Sequence, residues 1–142
     1  MPTYKHAAQL SLIPNCPGNG LSPCPSVGFR FAFQQASDER NFLPVAILDP
    51  DRRFEGRTAK EHCPAYGLSM FQTLTQLKNR AKLALKTSPN FLKRVGDHYL
   101  QFALQANDGR VTTPSTYGHF EFYEFVGTSL STRVVKHESL AL

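Results

Sequence analysis

At 142 residues, 41% hydrophobic and 19% charged, the chain has the size and composition of one globular domain that buries a continuous core. That excludes a wholly disordered chain, and no apolar run approaches the roughly 20 residues that a membrane-spanning helix needs. The net charge of +5 directs attention to anionic partners such as nucleotides, phosphates and nucleic acids.

Residues 1–27 contain "NCPGNGLSPCPS", whose prolines and glycines interrupt any period, so an N-terminal arm or loop is expected there. The apolar patch "AAQLSLIP" runs into Asn15-Cys16-Pro17 instead of a small-residue cleavage site, so no signal peptide is read. Residues 28–142 are expected to form the domain proper. In "GFRFAFQ", Phe29, Phe31 and Phe33 alternate with Arg30, Ala32 and Gln34, the period of a half-buried strand, with Arg30 pointing away from the phenylalanines. "FLPVAIL" is a second apolar run, and Pro44 demotes it to an edge or short strand. The charged stretch "DPDRRFEGRTAKEH" is a connection.

The principal helix comes next. Phe71, Leu74, Leu77, Ala81, Ala84 and Leu85 share one face at 3.6-residue spacing, giving an amphipathic helix over 71–86 that Thr87-Ser88-Pro89 terminates. Ser69 and Gln72 read as its capping box, the serine accepting from an early N–H and the glutamine reaching back. "DHYLQFALQANDGRVTT" reads as a hairpin turning at Asp108-Gly109. "YGHFEFYEFVG" is another alternating strand, with His119, Glu121 and Tyr123 on one side and Phe120, Phe122 and Glu124 on the other. "STRVVKHESL" adds a last strand. Several strands around one long helix make a single α+β domain with a mostly antiparallel or mixed sheet.

Three sets of side chains can carry chemistry. Cys16 and Cys24 are spaced more widely than structural zinc ligands, and His62-Cys63 adds only adjacent groups, so no metal site is expected. Three cysteines, an odd number at irregular spacing, argue instead for thiols without a role, against a disulfide scaffold, and for a reducing compartment, the cytoplasm. The second set is basic. Lys78, Arg80, Lys82, Lys86, Lys93 and Arg94 fall between Gln72 and Val95 with no acid among them, and Lys78, Lys82 and Lys86 form a row at i, i+4, i+8. Such a row neutralises phosphates of RNA or DNA, or an acidic protein; it is equally a solvated face placed well for the helix dipole.

The third set is Arg30, Tyr66, Ser69, Glu121 and Glu124, with His119 beside Glu121 as a proton-transfer candidate. An arginine holds a pyrophosphate, a tyrosine stacks on a planar ring, and a carboxylate stabilises an oxocarbenium ion. The order of "GFRFAF", "YGLSMFQT" and "GHFEFYEF" resembles the ADP-ribosyltransferase superfamily, including its small NAD-consuming toxins of the RES type. The resemblance spans roughly residues 28–126. It implies NAD as substrate, Arg30 on its phosphates, Tyr66 and Ser69 at the nicotinamide ribose, Glu121 or Glu124 as catalytic carboxylate, and a protein or nucleic-acid acceptor. The second motif departs from the family's Ser-Thr-Ser, and Glu121 and Glu124 have opposite strand parity, so the carboxylate is left divided between them.

Overall fold

The computed structural model describes residues 2–49 and 62–142. Its centre is a seven-stranded sheet of order β1-β5-β6-β3-β2-β4-β7. The strands are β1 Ser22–Pro23, β2 Val27–Ala32, β3 Leu68–Phe71, β4 His98–Ala103, β5 Gly109–Val111, β6 His119–Glu124 and β7 Val134–Ser139. Every neighbouring pair is antiparallel. The described residues also form four α-helices: α1 Ala7–Leu10, α2 Val45–Leu48, α3 Leu74–Thr87 and α4 Phe91–Val95. The result is the α+β domain expected from the sequence, with α3 as its principal helix.

The strand period distributes side chains to two cores. Ala32, Leu68, Met70, Leu100, Phe102, Phe120 and Phe122 fill one face of the sheet. Phe71, Leu77, Tyr99 and Leu140, flanked by Phe29 and Phe31, fill the other, where α3 packs. Each fully buried Leu, Met or Phe contributes about 1.5–3 kcal/mol, so the alternation that defines the strands also supplies most of the driving force. Leu10, Ala46, Ala65, Tyr66 and Tyr123 form a third cluster beneath the N-terminal segment. That segment is anchored by an ion pair from Lys5 to Glu124 and by a bridge from Tyr4 to Phe125.

Four local expectations are corrected. First, Ser69 does not cap the helix. Leu68 and Met70 are buried and pair with β6, so the residues around Ser69 follow the strand period. The cap lies four residues on, where Thr73 Oγ1 accepts from Gln76 N at 3.1 Å. Thr73, in a Thr-x-x-Gln, supplies the N-cap bond in place of Ser69, and its hydroxyl donates to Gln76 Oε1 at 3.1 Å. Second, "FLPVAIL" is no strand: Pro44 is the residue immediately before α2, where its missing N–H costs nothing. Third, Asp108-Gly109 does not join a hairpin, because β4 pairs with β2 and β7 whereas β5 pairs with β1 and β6. The Asp108 carboxylate closes its own turn by accepting from Gln105 N at 2.8 Å, and Arg133 clamps it through two bonds of 2.9 Å. Gly109 is needed for close approach, since a Cβ there would collide with the Tyr123 carbonyl oxygen.

Fourth, the cysteines are not all unpaired. Cys16 and Cys63 form a disulfide across a sequence separation of 47, and Cys24 alone is a buried free thiol. Burial, reinforced by the nearby Asp108 charge, pushes the Cys24 thiol up to about 12, which makes it inert. The charged connection after Asp49 lies outside the described residues up to Glu61. No helix among the described residues is long and apolar enough to cross a membrane.

Candidate active site

Ser69 and Glu121 are direct cross-strand partners in the β3–β6 ladder, and His119 stands opposite Phe71 two positions away. Period two therefore puts Ser69, Glu121 and His119 on one side of the sheet. The Ser69 hydroxyl donates to Glu121 Oε1 at 3.0 Å. His119 Nε2 lies 3.2 Å from that same oxygen, and its ring packs edge-on against Phe71 at 5.4 Å. Glu121 is only 8% exposed, and its second oxygen, Oε2, is buried without a hydrogen-bond partner among the described residues. Gly67 makes room for it, because a Cβ at that position would stand 3.1 Å from Oε2.

Arg30 arrives from β2 by a different route. Its ladder partner is Leu100, so parity assigns it to the opposite face from Ser69. However, β2 and β3 share a single register pair, Phe29↔Phe71. Beyond it the strands part, and the Arg30 side chain bridges them. Nη1 donates to the Ser69 carbonyl oxygen at 3.1 Å, Nε to that of Asn41 at 3.0 Å, and Nη2 to that of Arg40 at 3.4 Å. Burial lowers its pKa to about 10, while the Glu121 charge acts in the opposite direction, so the guanidinium remains cationic at neutral pH.

A cavity of about 550 Å³ opens where the strands part. Arg30 and Phe31 line it from β2, Gly67 and Ser69 from the β3 side, Val45 and Leu48 from α2, and Arg94 from α4. Ser69 is exposed and Glu121 lies behind it. A second hollow, of about 730 Å³, lies between α3 and the 115–119 segment, and His119 forms part of its wall with Arg80, Leu83 and Tyr117. Glu121 thus connects, through Ser69 and His119, to two separate concavities.

This arrangement limits the chemistry. The carboxylate stands between serine and imidazole, whereas nucleophilic serine catalysis needs the imidazole between serine and carboxylate. Ser69 is accordingly not an activated nucleophile. A buried carboxylate with one oxygen unengaged is instead suited to stabilising positive charge that develops beside it. Its charge also raises the Tyr123 hydroxyl, after the larger effect of that residue's own burial.

The remaining candidates separate. Glu124 ends β6 on the other parity and is joined to Lys5 at 2.9 Å. Burial raises its pKa, and the Lys5 hydrogen bond and charge oppose that rise. Tyr66 is 5% exposed within the third core cluster, away from an open stacking position. Lys82 and Lys86 are exposed on α3, and Lys78 is half-buried. Arg80 and Arg94 both approach the Phe91 ring, at 5.6 and 5.8 Å, and Lys93 and Arg94 close α4. Among the described residues no group of three or more His, Cys, Asp or Glu side chains is placed to hold a metal ion.

Sequence reading passed over Asn41, Gly67 and Arg40. Asn41 is fully buried, accepts from Phe33 N at 2.7 Å, and donates to the Gln35 carbonyl at 3.1 Å, so it fixes the carbonyl that holds Arg30. No local pattern marks it. Gly67 carried a signal, the glycine inside "YGLS", a place where a backbone can approach a side chain closely. The chain matches no family model, and neither the curated proteins nor the solved structures contain a significant match to it.

Proposed function

We propose that the protein is an NAD-cleaving enzyme of the ADP-ribosyltransferase kind, transferring to a protein or nucleic-acid acceptor. The observation that carries this reading is the bond between Ser69, in the wall of a cavity, and the buried Glu121 carboxylate behind it. The three motifs that carry the resemblance supply Arg30, Ser69 and Glu121, which come from strands adjacent in the order β2, β3, β6. In this reading the dinucleotide occupies the cavity at the parting of β2 and β3. Ser69, its proton committed to Glu121, offers lone pairs to a ribose hydroxyl. Glu121 stabilises the oxocarbenium ion as the nicotinamide bond breaks. Glu121 is preferred to Glu124, whose charge is already met by Lys5. His119, in the wall of the second hollow, stands where an acceptor group would give up its proton.

The Cys16–Cys63 bond favours an oxidising compartment over the cytoplasm for the folded protein. The test is nicotinamide release from NAD by purified protein and by Glu121→Gln, which keeps an acceptor for Ser69 and removes the charge. Release should fall about 100-fold or more in the variant. Release unchanged in a folded variant refutes the assignment.

A second reading rests on the exposure of Lys82 and Lys86, for which the described residues supply no ion-pair partner. In it α3 holds RNA, DNA or an acidic protein without catalysis. Retention of nucleic acid that weakens steeply with salt and ignores Glu121→Gln would carry that reading.

A further inference from the structure

We infer that Arg94, and not Arg30, is the residue that grips the phosphate groups of an anionic ligand in the cavity between β2 and β3. The inference rests on the cavity being the ligand site proposed above, and it concerns which chemistry the ligand must present there. All three guanidinium nitrogens of Arg30 already donate to backbone carbonyls, those of Ser69, Asn41 and Arg40. One of those bonds takes up the Ser69 carbonyl where β3 parts from β2, and the other two tie β2 to the 39–41 turn. Turning Arg30 toward a ligand would strip these carbonyls, that of buried Asn41 among them, of their donor, a cost of roughly the size of the new bonds gained. Arg30 is therefore a structural tie, held in place by three of its five N–H groups.

Two other arginines line the same cavity. Arg40 is engaged: its Nε and Nη2 chelate the Asp38 carboxylate at 3.0 and 2.7 Å, and its guanidinium lies 3.6 Å from the centre of the Phe33 ring. Arg94 is different. It is exposed, its guanidinium stands 5.8 Å from the centre of the Phe91 ring, and its hydrogen bond, from Nη2 to Ser88 Oγ at 2.9 Å, is to a neutral hydroxyl, so among the described residues no carboxylate matches its charge. Three arginines face one acid, Glu39, in the lining, so the cavity attracts anions. The planar fork of Arg94 has free N–H groups for bidentate contact with phosphate oxygens. The ligand class is a diphosphate ester or free pyrophosphate, held by Arg94.

The test is calorimetric titration of inorganic pyrophosphate and of ADP into the wild-type chain, Arg94→Gln and Lys136→Gln. The lysine variant makes the same change in net charge on exposed β7, outside the cavity lining and outside the basic face of α3. Arg94→Gln should weaken both probes by about ten-fold or more, the loss of a charge-assisted contact, while Lys136→Gln stays within about two-fold. Equal weakening in the two variants, or no binding of either probe to the wild-type chain at millimolar concentration, overturns the inference. Pyrophosphate binding that depends on Arg94 in a protein that releases no nicotinamide leaves the anion site standing and removes the NAD-cleaving reading.

Discussion

Reducing the Cys16–Cys63 bond should cost much of the fold's margin and act directly on the site. The bond closes a loop with a sequence separation of 47. By loop-closure entropy a loop of that size constrains the unfolded chain by about 4 kcal/mol. For a chain of this length, that corresponds to a fall in Tm of roughly 10 °C. The perturbation is local as well as global. Cys63 opens the 3₁₀ turn Cys63–Tyr66 that leads into Gly67 and Ser69, and Tyr123 donates its hydroxyl to the Cys63 carbonyl. Cys16 belongs to the cluster packed around Tyr66 and Tyr123. Thermal unfolding followed by circular dichroism, with and without reductant and beside the double variant Cys16→Ser/Cys63→Ser, measures the effect. Thiol titration of the unreduced protein in denaturant should find only Cys24. Three titrating thiols, or a Tm that reductant leaves unmoved, refute the reasoning.

Asp108→Asn should destabilise the protein by about 2–3 kcal/mol, read from urea unfolding, because it removes the charge that Arg133 meets with two bonds. Burial would raise the Asp108 pKa, but the Arg133 and Gln105 hydrogen bonds and the Arg133 charge outweigh it and hold it below the usual value. Its contribution is thus present above the unfolded pKa, near about 3.9, and lost as pH falls through the lower folded value, a dependence the Asn variant should lack. Gly96→Ala should cost roughly 2–3 kcal/mol in the same assay, since Gly96 has φ +97° and a Cβ there would collide with the Ala32 carbonyl. A loss under about 1 kcal/mol would show that the backbone there relaxes readily.

Much of this architecture is written in local pattern, and the failures have identifiable causes. The alternation in "GFRFAF" and "HFEFYEF" specified β2 and β6, and the 3.6-residue spacing specified α3. The four residues of β3 were hidden by an overlapping Ser-x-x-Gln, two chemically valid readings of one serine that only pairing with β6 decides. The Asp108-Gly109 signal was real as a turn, yet partner choice among strands is non-local, and β5 pairs with β1 and β6 instead of returning along β4. The disulfide was equally invisible. Parity of cysteine count says that one thiol is left over and nothing about which two meet.

The site shows the same division between composition and placement. Arg30, Ser69 and Glu121 were identifiable by residue type, but strict strand parity assigns Arg30 to the opposite face from the other two. They approach because β2 and β3 stop pairing after Phe29↔Phe71, and a guanidinium is long enough to span the gap and bond the Ser69 carbonyl that the parting leaves. The cavity opens at the parting, and Arg30 ties the strands across it with three of its N–H groups. In the proposed reading a ligand there is met by Arg94 on the rim. The same geometry separates the glutamates: Glu121 lies behind Gly67 and Ser69 of the cavity lining, while Glu124 faces Lys5. The five residues that the sequence groups together therefore have three placements: a strand tie at Arg30, a hydrogen-bonded pair at Ser69 and Glu121, and core or arm contacts at Tyr66 and Glu124.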